Sequence, residues 1–195
     1  MPKHRHFIIH KPYGYLSQFI TNQKNNKHKL LGELSDDFPE NTMAVGRLDV
    51  KSEGLLFLTT DGKVSDYITT SGGVEKEYYA QLDGAITAKA IDELRTGVEI
   101  GFDGKKYITK PCKVHLIDSP NFKARVKKIR DERHGPTSWI SITLKEGKFR
   151  QVRKMTSGVG FPTLRLVRVR IGNAWLNDLP VGNVEEIDNL IELIS

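Results

Sequence analysis

Arg47 and Asp49 stand two residues apart, just ahead of the apolar run Leu55-Leu56-Phe57-Leu58, in the stretch Gly46-Arg47-Leu48-Asp49-Val50-Lys51-Ser52-Glu53-Gly54. A carboxylate beside a strand bound for the interior is costly unless a cation or hydrogen-bond donors meet it. Asp49 therefore needs a reason, and two fit. The chemical one is an ionised carboxylate in a water-poor pocket, acting as nucleophile or base while a nearby cation keeps the proton off it. The structural one is a turn aspartate bonding nearby backbone amides, with Arg47 as its surface partner. These residues alone leave both open.

A second concentration of chemistry runs from Lys145 to Arg170. It carries eight basic residues (Lys145, Lys148, Arg150, Arg153, Lys154, Arg165, Arg168, Arg170) against one acid, Glu146. The stretch after Lys148 predicts a short helix with Val152 and Met155 inward. That leaves Arg150, Arg153, Lys154 and Ser157 outward, at i, i+3, i+4 and i+7. Such a face suits phosphates, and its plain alternative is a solvated helix surface. Lys123–Arg133 holds six further basic residues against Asp131 and Glu132, whereas Asp178–Ser195 has five acids and no lysine or arginine. With a net charge of +6, this segregation points to one positive face for a polyanion.

Other chemistries find little support. His4, His6 and His10 have no cysteine or acid beside them to complete a metal site. Cys112 lies in Lys110-Pro111-Cys112-Lys113-Val114, which reads as a strand with an inward cysteine rather than a thiol nucleophile beside His115. No glycine-rich loop precedes a helix, so nucleotide hydrolysis is not indicated and no cofactor is implied. One cysteine excludes an internal disulfide framework, and no window approaches the roughly 18 apolar residues of a membrane span. The start lacks the apolar stretch of a signal peptide. A cytoplasmic protein without membrane contact is expected.

The elements that must position these groups are mostly short strands. Phe7–His10 reads as the first strand, closed by the turn Lys11-Pro12-Tyr13-Gly14. Thr21–Lys29 is polar and aperiodic, so a mobile loop is expected. Leu55–Thr60 reads as a buried strand entering a turn at Asp61-Gly62, followed by a short helix over Val64–Thr70. Glu77–Asp83 is another strand. Thr87–Arg95 is a helix with Thr87 as cap, Ile91 and Leu94 on one face and Gly97 at the end. Trp139–Leu144 alternates as a strand with one buried face. Leu164–Ile171 alternates too, with a phase slip at Leu166-Val167 that predicts a bulge and leaves Arg168 and Arg170 on the opposite face. Many short strands with few helices give an α+β class, an antiparallel-rich mixed sheet with a few flanking helices, in one domain spanning residues 1–195.

The Gly-Arg-Leu-Asp segment resembles the signature of the RsuA-type pseudouridine synthases. The likeness continues through Ser52-Glu53-Gly54-Leu55-Leu56, Thr59-x-Asp61-Gly62, Lys76-x-Tyr78, Gly147-Lys148-x-x-Gln151-Val152-Arg153-Lys154-Met155, Lys11-Pro12-Tyr13-Gly14-Tyr15-Leu16-Ser17 and Gly160–Leu166. It implies the pseudouridine-synthase catalytic fold, no cofactor, no metal, and RNA as partner. Residue by residue, it makes Asp49 the catalytic aspartate and Tyr78 the ring that packs on the target base. Lys148 becomes the cation that keeps the aspartate ionised, where many members carry an arginine able to make a bidentate contact. Arg47 assists, Leu166 lines the site, and Arg150, Arg153 and Lys154 face the RNA. The first strand begins within ten residues of Met1, so no S4 RNA-binding domain is expected ahead of it. That likens the chain to short members acting on one uridine of large-subunit (23S) rRNA, as a monomer, on free RNA or an assembly particle. The alternatives are another rRNA uridine, or a non-catalytic rRNA-binding assembly protein on the same fold.

Overall fold

A computed structural model describes residues 3–22, 24–25, 27–70, 73–130 and 132–195. The chain forms two compact units, residues up to 74 with 167–195, and residues 75–166. The strand Thr163–Ile171 carries the chain from the second into the first.

The first unit is built on the strand Glu53–Thr59, buried along its whole length. Leu55–Leu58 are fully inaccessible, and an apolar run without alternation is what a strand covered on both faces requires. His6–Lys11 pairs antiparallel along one edge, and Val184–Ile187 adds to the far side of that strand. The other edge is shared. Met43–Val45 pairs antiparallel with its last residues, and Val167–Arg168 pairs parallel with Glu53–Gly54. Gly54 has φ +108°, and a Cβ there would overlap the Arg168 carbonyl oxygen and lie 2.6 Å from the Arg168 nitrogen. Only glycine allows this approach. The helix Gly62–Thr70 starts where Asp61 Oδ1 accepts the amides of Lys63 (2.8 Å) and Val64 (3.4 Å).

In the second unit, Lys76–Asp83, Thr137–Leu144 and Lys113–Ile117 form antiparallel pairs around the central strand Thr137–Leu144. Two helices, Ala88–Thr96 and Gln151–Gly158, and the hairpin Glu99–Phe102/Lys105–Ile108 complete it. Ala80, Leu82, Leu94, Ile140, Ile142 and Met155 are central to one apolar core. Thr87 caps its helix by accepting the Ala90 amide, and Gly97 ends it at φ +119°, as the sequence predicted. The α+β class holds, with antiparallel pairs predominating.

Several expectations change. Trp139–Leu144 is buried on both faces: Ile140, Ile142 and Leu144 enter the core, while Trp139 is covered by the Phe122 ring at 5.9 Å and Ser141 donates to Glu77 Oε1 at 2.7 Å. Thr163–Ile171 is one nine-residue strand whose residues Arg165–Val169 are all buried, so the slip in apolar phase marks a segment covered on two sides. Arg168 therefore does not project into solvent. The strand read at Lys110–Val114 begins only at Lys113, beyond Pro111, which has no amide hydrogen to pair. Within the loop read over Thr21–Lys29, Gln23 and Asn26 lie outside the described residues, and Lys29–Leu30 pairs with Tyr15–Leu16. Asp131 of the basic run also lies outside them. Among the described residues no helix is long and apolar enough to cross a membrane.

Candidate active site

Asp49 belongs to the first unit, on the loop between Met43–Val45 and Glu53–Thr59. The loop is anchored by its own apolar residue: Leu48 is buried, and both of its backbone groups meet the buried Ser17 hydroxyl. The Leu48 amide donates to Ser17 Oγ at 3.0 Å, and that hydroxyl donates to the Leu48 carbonyl at 2.8 Å. On the other side, the Gly14 amide donates to the Val50 carbonyl at 2.8 Å, and the Ser52 amide to the Asp49 carbonyl at 2.9 Å. Gly14 takes φ +90°, which places its amide in the tight turn. Asp49 is thus held from before, behind and through its own carbonyl. Its side chain is half-buried and Arg47 beside it is exposed.

Beneath the loop lies a charged layer the sequence did not disclose. Lys11, Glu53 and Arg168 are 0%, 1% and 3% exposed. Lys11 Nζ donates to the carbonyls of Pro12 (2.9 Å) and Tyr15 (2.7 Å), fixing the turn that in turn holds Val50. Burial drives the Lys11 amine down to about 7, against the upward pull of the Glu53 and Asp49 carboxylates and with a further push from Arg168. Arg168 Nε donates to the Leu55 carbonyl at 2.7 Å.

Tyr78, Lys148 and Leu166 belong to the second unit. Tyr78 lies opposite Ile142, half-buried against the core that includes Leu166. Tyr79, which an alternating strand must send to the opposite face, lies 6.2 Å from Phe122. Tyr78, Ala80 and Leu82 share the core face. Leu166 is 5% exposed.

Lys148 stands in the turn before the helix Gln151–Gly158. Its ammonium lies over two rings, 4.7 Å from the Phe102 centroid and 5.1 Å from that of Tyr107. Its amide donates to Gln151 Oε1 at 2.9 Å. Arg150 is exposed in a left-handed conformation (φ +53°) as the residue preceding the helix, a backbone that a non-glycine residue adopts at some cost. Val152 and Met155 point inward as expected. Arg153 and Lys154 are less free than the helical spacing suggested: Arg153 Nη1 donates to the Thr163 carbonyl (3.1 Å) and Lys154 Nζ to the Gly101 carbonyl (2.6 Å). Arg165 is internal, its guanidinium over Phe122 and donating to the Lys123 carbonyl. Two of the eight basic residues in this stretch, Arg165 and Arg168, are therefore structural, and the outward charge rests chiefly on Lys145 and Arg150, with the exposed Phe149 ring next to them.

The groups set aside at the outset have ordinary partners. His6 Nδ1 pairs with Thr59 Oγ1 and His10 Nδ1 with the Leu179 carbonyl, both at 2.8 Å. Cys112 donates to the Leu94 carbonyl, and burial pushes its thiol up to about 11.

Comparison with known proteins gives these arrangements a context. The family model described as RNA pseudouridylate synthase matches residues 5–158. A protein of Vibrio parahaemolyticus serotype O3:K6 (strain RIMD 2210633), "Ribosomal large subunit pseudouridine synthase E", is 42% identical over 182 residues, 92% of this chain and 72% of that one. Its namesake in Xanthomonas axonopodis pv. citri (strain 306) is 40% identical over 174 residues, 88% of each. Among solved structures, "Crystal structure of pseudouridylate synthase" matches 99% of this chain and 74% of its own with a TM-score of 0.77 at 24% identity, a likeness of fold.

Proposed function

Because the chain belongs to the RNA pseudouridylate synthase family, we propose that it isomerises one uridine of large-subunit (23S) rRNA to pseudouridine, with residues 1–195 acting as one catalytic domain. The observation that carries the choice of substrate is the 42% and 40% identity, over most of the chain, to two proteins named for the ribosomal large subunit.

The reaction breaks the N1–C1′ bond of uridine, turns the uracil and rejoins it through C5, whose proton moves to the ring nitrogen. Atoms and electrons balance within one nucleotide, so no external reductant or energy source enters. Asp49 is the carboxylate that attacks C1′ or takes the 2′ proton, and its loop supports either role, because its backbone is pinned at Leu48, Asp49 and Val50. A pinned nucleophile needs no reordering during the reaction. Arg168 adds a buried cation to the same unit, and Lys148, with Arg47, supplies further positive charge.

A uridine must leave its stack before either route opens. Tyr78 takes the role of ring partner to the everted base, an interaction worth about 1–3 kcal/mol per base. Leu166 gives an apolar wall that excludes water. Arg150, Arg153 and Lys154 meet phosphates, and the protein works as a cytoplasmic monomer on its rRNA partner. Mapping pseudouridines in rRNA from cells with and without the protein tests the substrate. Loss of a single large-subunit pseudouridine is the expected result, whereas an unchanged large-subunit map refutes it and a lost small-subunit site moves the target.

A further inference from the structure

The hairpin Glu99–Phe102/Lys105–Ile108 does more than cover the core. Phe102 and Tyr107 stand near its turn, with ring centroids 6.1 Å apart and planes inclined by 63°. Two rings at that inclination make a corner, and Lys148 Nζ occupies it, 4.7 and 5.1 Å from the two centroids. Both distances are inside the range where an aromatic face attracts a cation.

The corner is itself braced. Tyr107 Oη donates to Glu146 Oε2 at 2.6 Å, and Glu146 Oε1 accepts the Lys110 amide (2.9 Å) and Gln151 Nε2 (2.6 Å). Burial works to raise the Glu146 carboxyl, and these donors outweigh it, leaving the group below the ordinary carboxylate range. The same bond and burial hold the Tyr107 phenol above its ordinary value. Gln151 closes the circuit: its other amide atom, Oε1, accepts the Lys148 backbone amide at 2.9 Å, and the Gln151 amide donates to the Lys148 carbonyl at 3.0 Å. One carboxylate thus fixes the ring that seats the lysine side chain, and one glutamine fixes both that carboxylate and the lysine backbone.

We infer that Phe102 and Tyr107 are positioning residues for Lys148, forming an aromatic seat braced by Glu146 and Gln151 that sets where its charge stands. The inference rests on the cationic role given to Lys148 above. A flexible four-carbon chain in open solvent samples many rotamers, and a cation meant for one place must lose that freedom beforehand. The seat does so without neutralising the charge, since a ring face attracts an ammonium but carries no counter-ion. It also selects lysine. A compact ammonium fits the angle between two rings, whereas a planar guanidinium lies flat on one.

Two arms test this. In the first, NMR of the wild-type protein reads the Lys148 ε-methylene protons, assigned by their absence in Lys148→Arg. Ring currents from both faces must move them clearly upfield of the other lysines, and Tyr107→Leu must return them partway. Signals at the ordinary lysine position overturn the seat. In the second, turnover is measured on unmodified 23S rRNA. Tyr107→Leu and Phe102→Leu should each lower kcat by about two- to fivefold, and the double variant by about tenfold, with KM little changed. Tyr107→Phe, which keeps the ring, should recover most of the loss. Equal damage from Tyr107→Phe and Tyr107→Leu assigns the effect to the Glu146 bond and overturns the ring's part. Full turnover by Lys148→Ala overturns the lysine's role itself, while a silent Tyr107→Leu beside an inactive Lys148→Ala overturns only the seat.

Discussion

Ser17→Ala isolates the anchoring of the Asp49 loop, because the change removes one oxygen and no bulk. That oxygen accepts the Leu48 amide and donates to the Leu48 carbonyl, at 3.0 and 2.8 Å, with serine 7% and leucine 6% exposed. Both backbone groups lose their partner in a place water reaches poorly. Leaving a buried polar group unmet costs about 1–3 kcal/mol. Two such groups, with some relief from local relaxation, give about 2–4 kcal/mol. For a chain of 195 residues that is a fall in Tm of roughly 5–15 °C. The kinetic effect is separate: a loosened loop misplaces Asp49, and misplacement near 1 Å costs up to roughly 100-fold in rate. Urea unfolding of wild type and variant gives the first quantity, provided the slope m is unchanged. Single-turnover pseudouridine formation gives the second. A stability loss under about 0.5 kcal/mol together with wild-type turnover refutes the reasoning, since the loop would then be held by something else.

Other consequences are independent of that one. Lys11 binds its proton more weakly folded (about 7) than unfolded (10.5), so the folded chain is penalised in full below pH 7 and relieved as pH rises toward 10.5. Its contribution to unfolding free energy should rise with pH across that window by up to about 1.4 kcal/mol per unit, and Lys11→Met should remove the slope. Identical slopes in the two proteins contradict this. Gly54→Ala forces a Cβ into the Arg168 backbone at φ +108° and should destabilise by more than about 3 kcal/mol; a wild-type Tm would show that the strand pair yields easily. Arg150→Ala should weaken RNA binding at every sequence and lower the salt-dependence slope by about one, whereas an unaltered slope removes Arg150 from the phosphate contacts. Cys112, whose thiol burial holds near 11, should resist alkylation at pH 7.5 in the folded protein and react after unfolding.

What the sequence disclosed follows from what it encodes locally. The uninterrupted run Leu55–Leu58 marked a doubly covered strand, and Thr87 with Gly97 marked both ends of a helix, because burial pattern and caps are read within a few residues. The motifs around Asp49, Tyr78 and Lys148 stood out as a family resemblance, whereas the residues alone left the role of Asp49 open. The buried charges were not. Lys11 and Arg168 look like surface residues in the chain, and only strand pairing puts them inside, the first opposite Gly54 and the second against that same glycine from the other edge. Tyr78 and Tyr79 are adjacent, so a strand must send them to opposite faces, but which face meets the core depends on pairing with Ser141 and Ile142. The aromatic seat was hidden for the same reason: Phe102 and Tyr107 lie some forty residues before Lys148 and reach it through a hairpin docked on the helix that follows. Ser17 was part of a recognised motif, and its partner Leu48 was not foreseeable from it.

The most direct test is the purified Asp49→Asn protein, isosteric and uncharged, assayed for both binding and isomerisation of unmodified 23S rRNA. RNA binding at wild-type strength with no pseudouridine above background is the expected result. Turnover at a measurable fraction of wild type, on protein shown to carry the substitution, would mean that the carboxylate at 49 is not the reacting group.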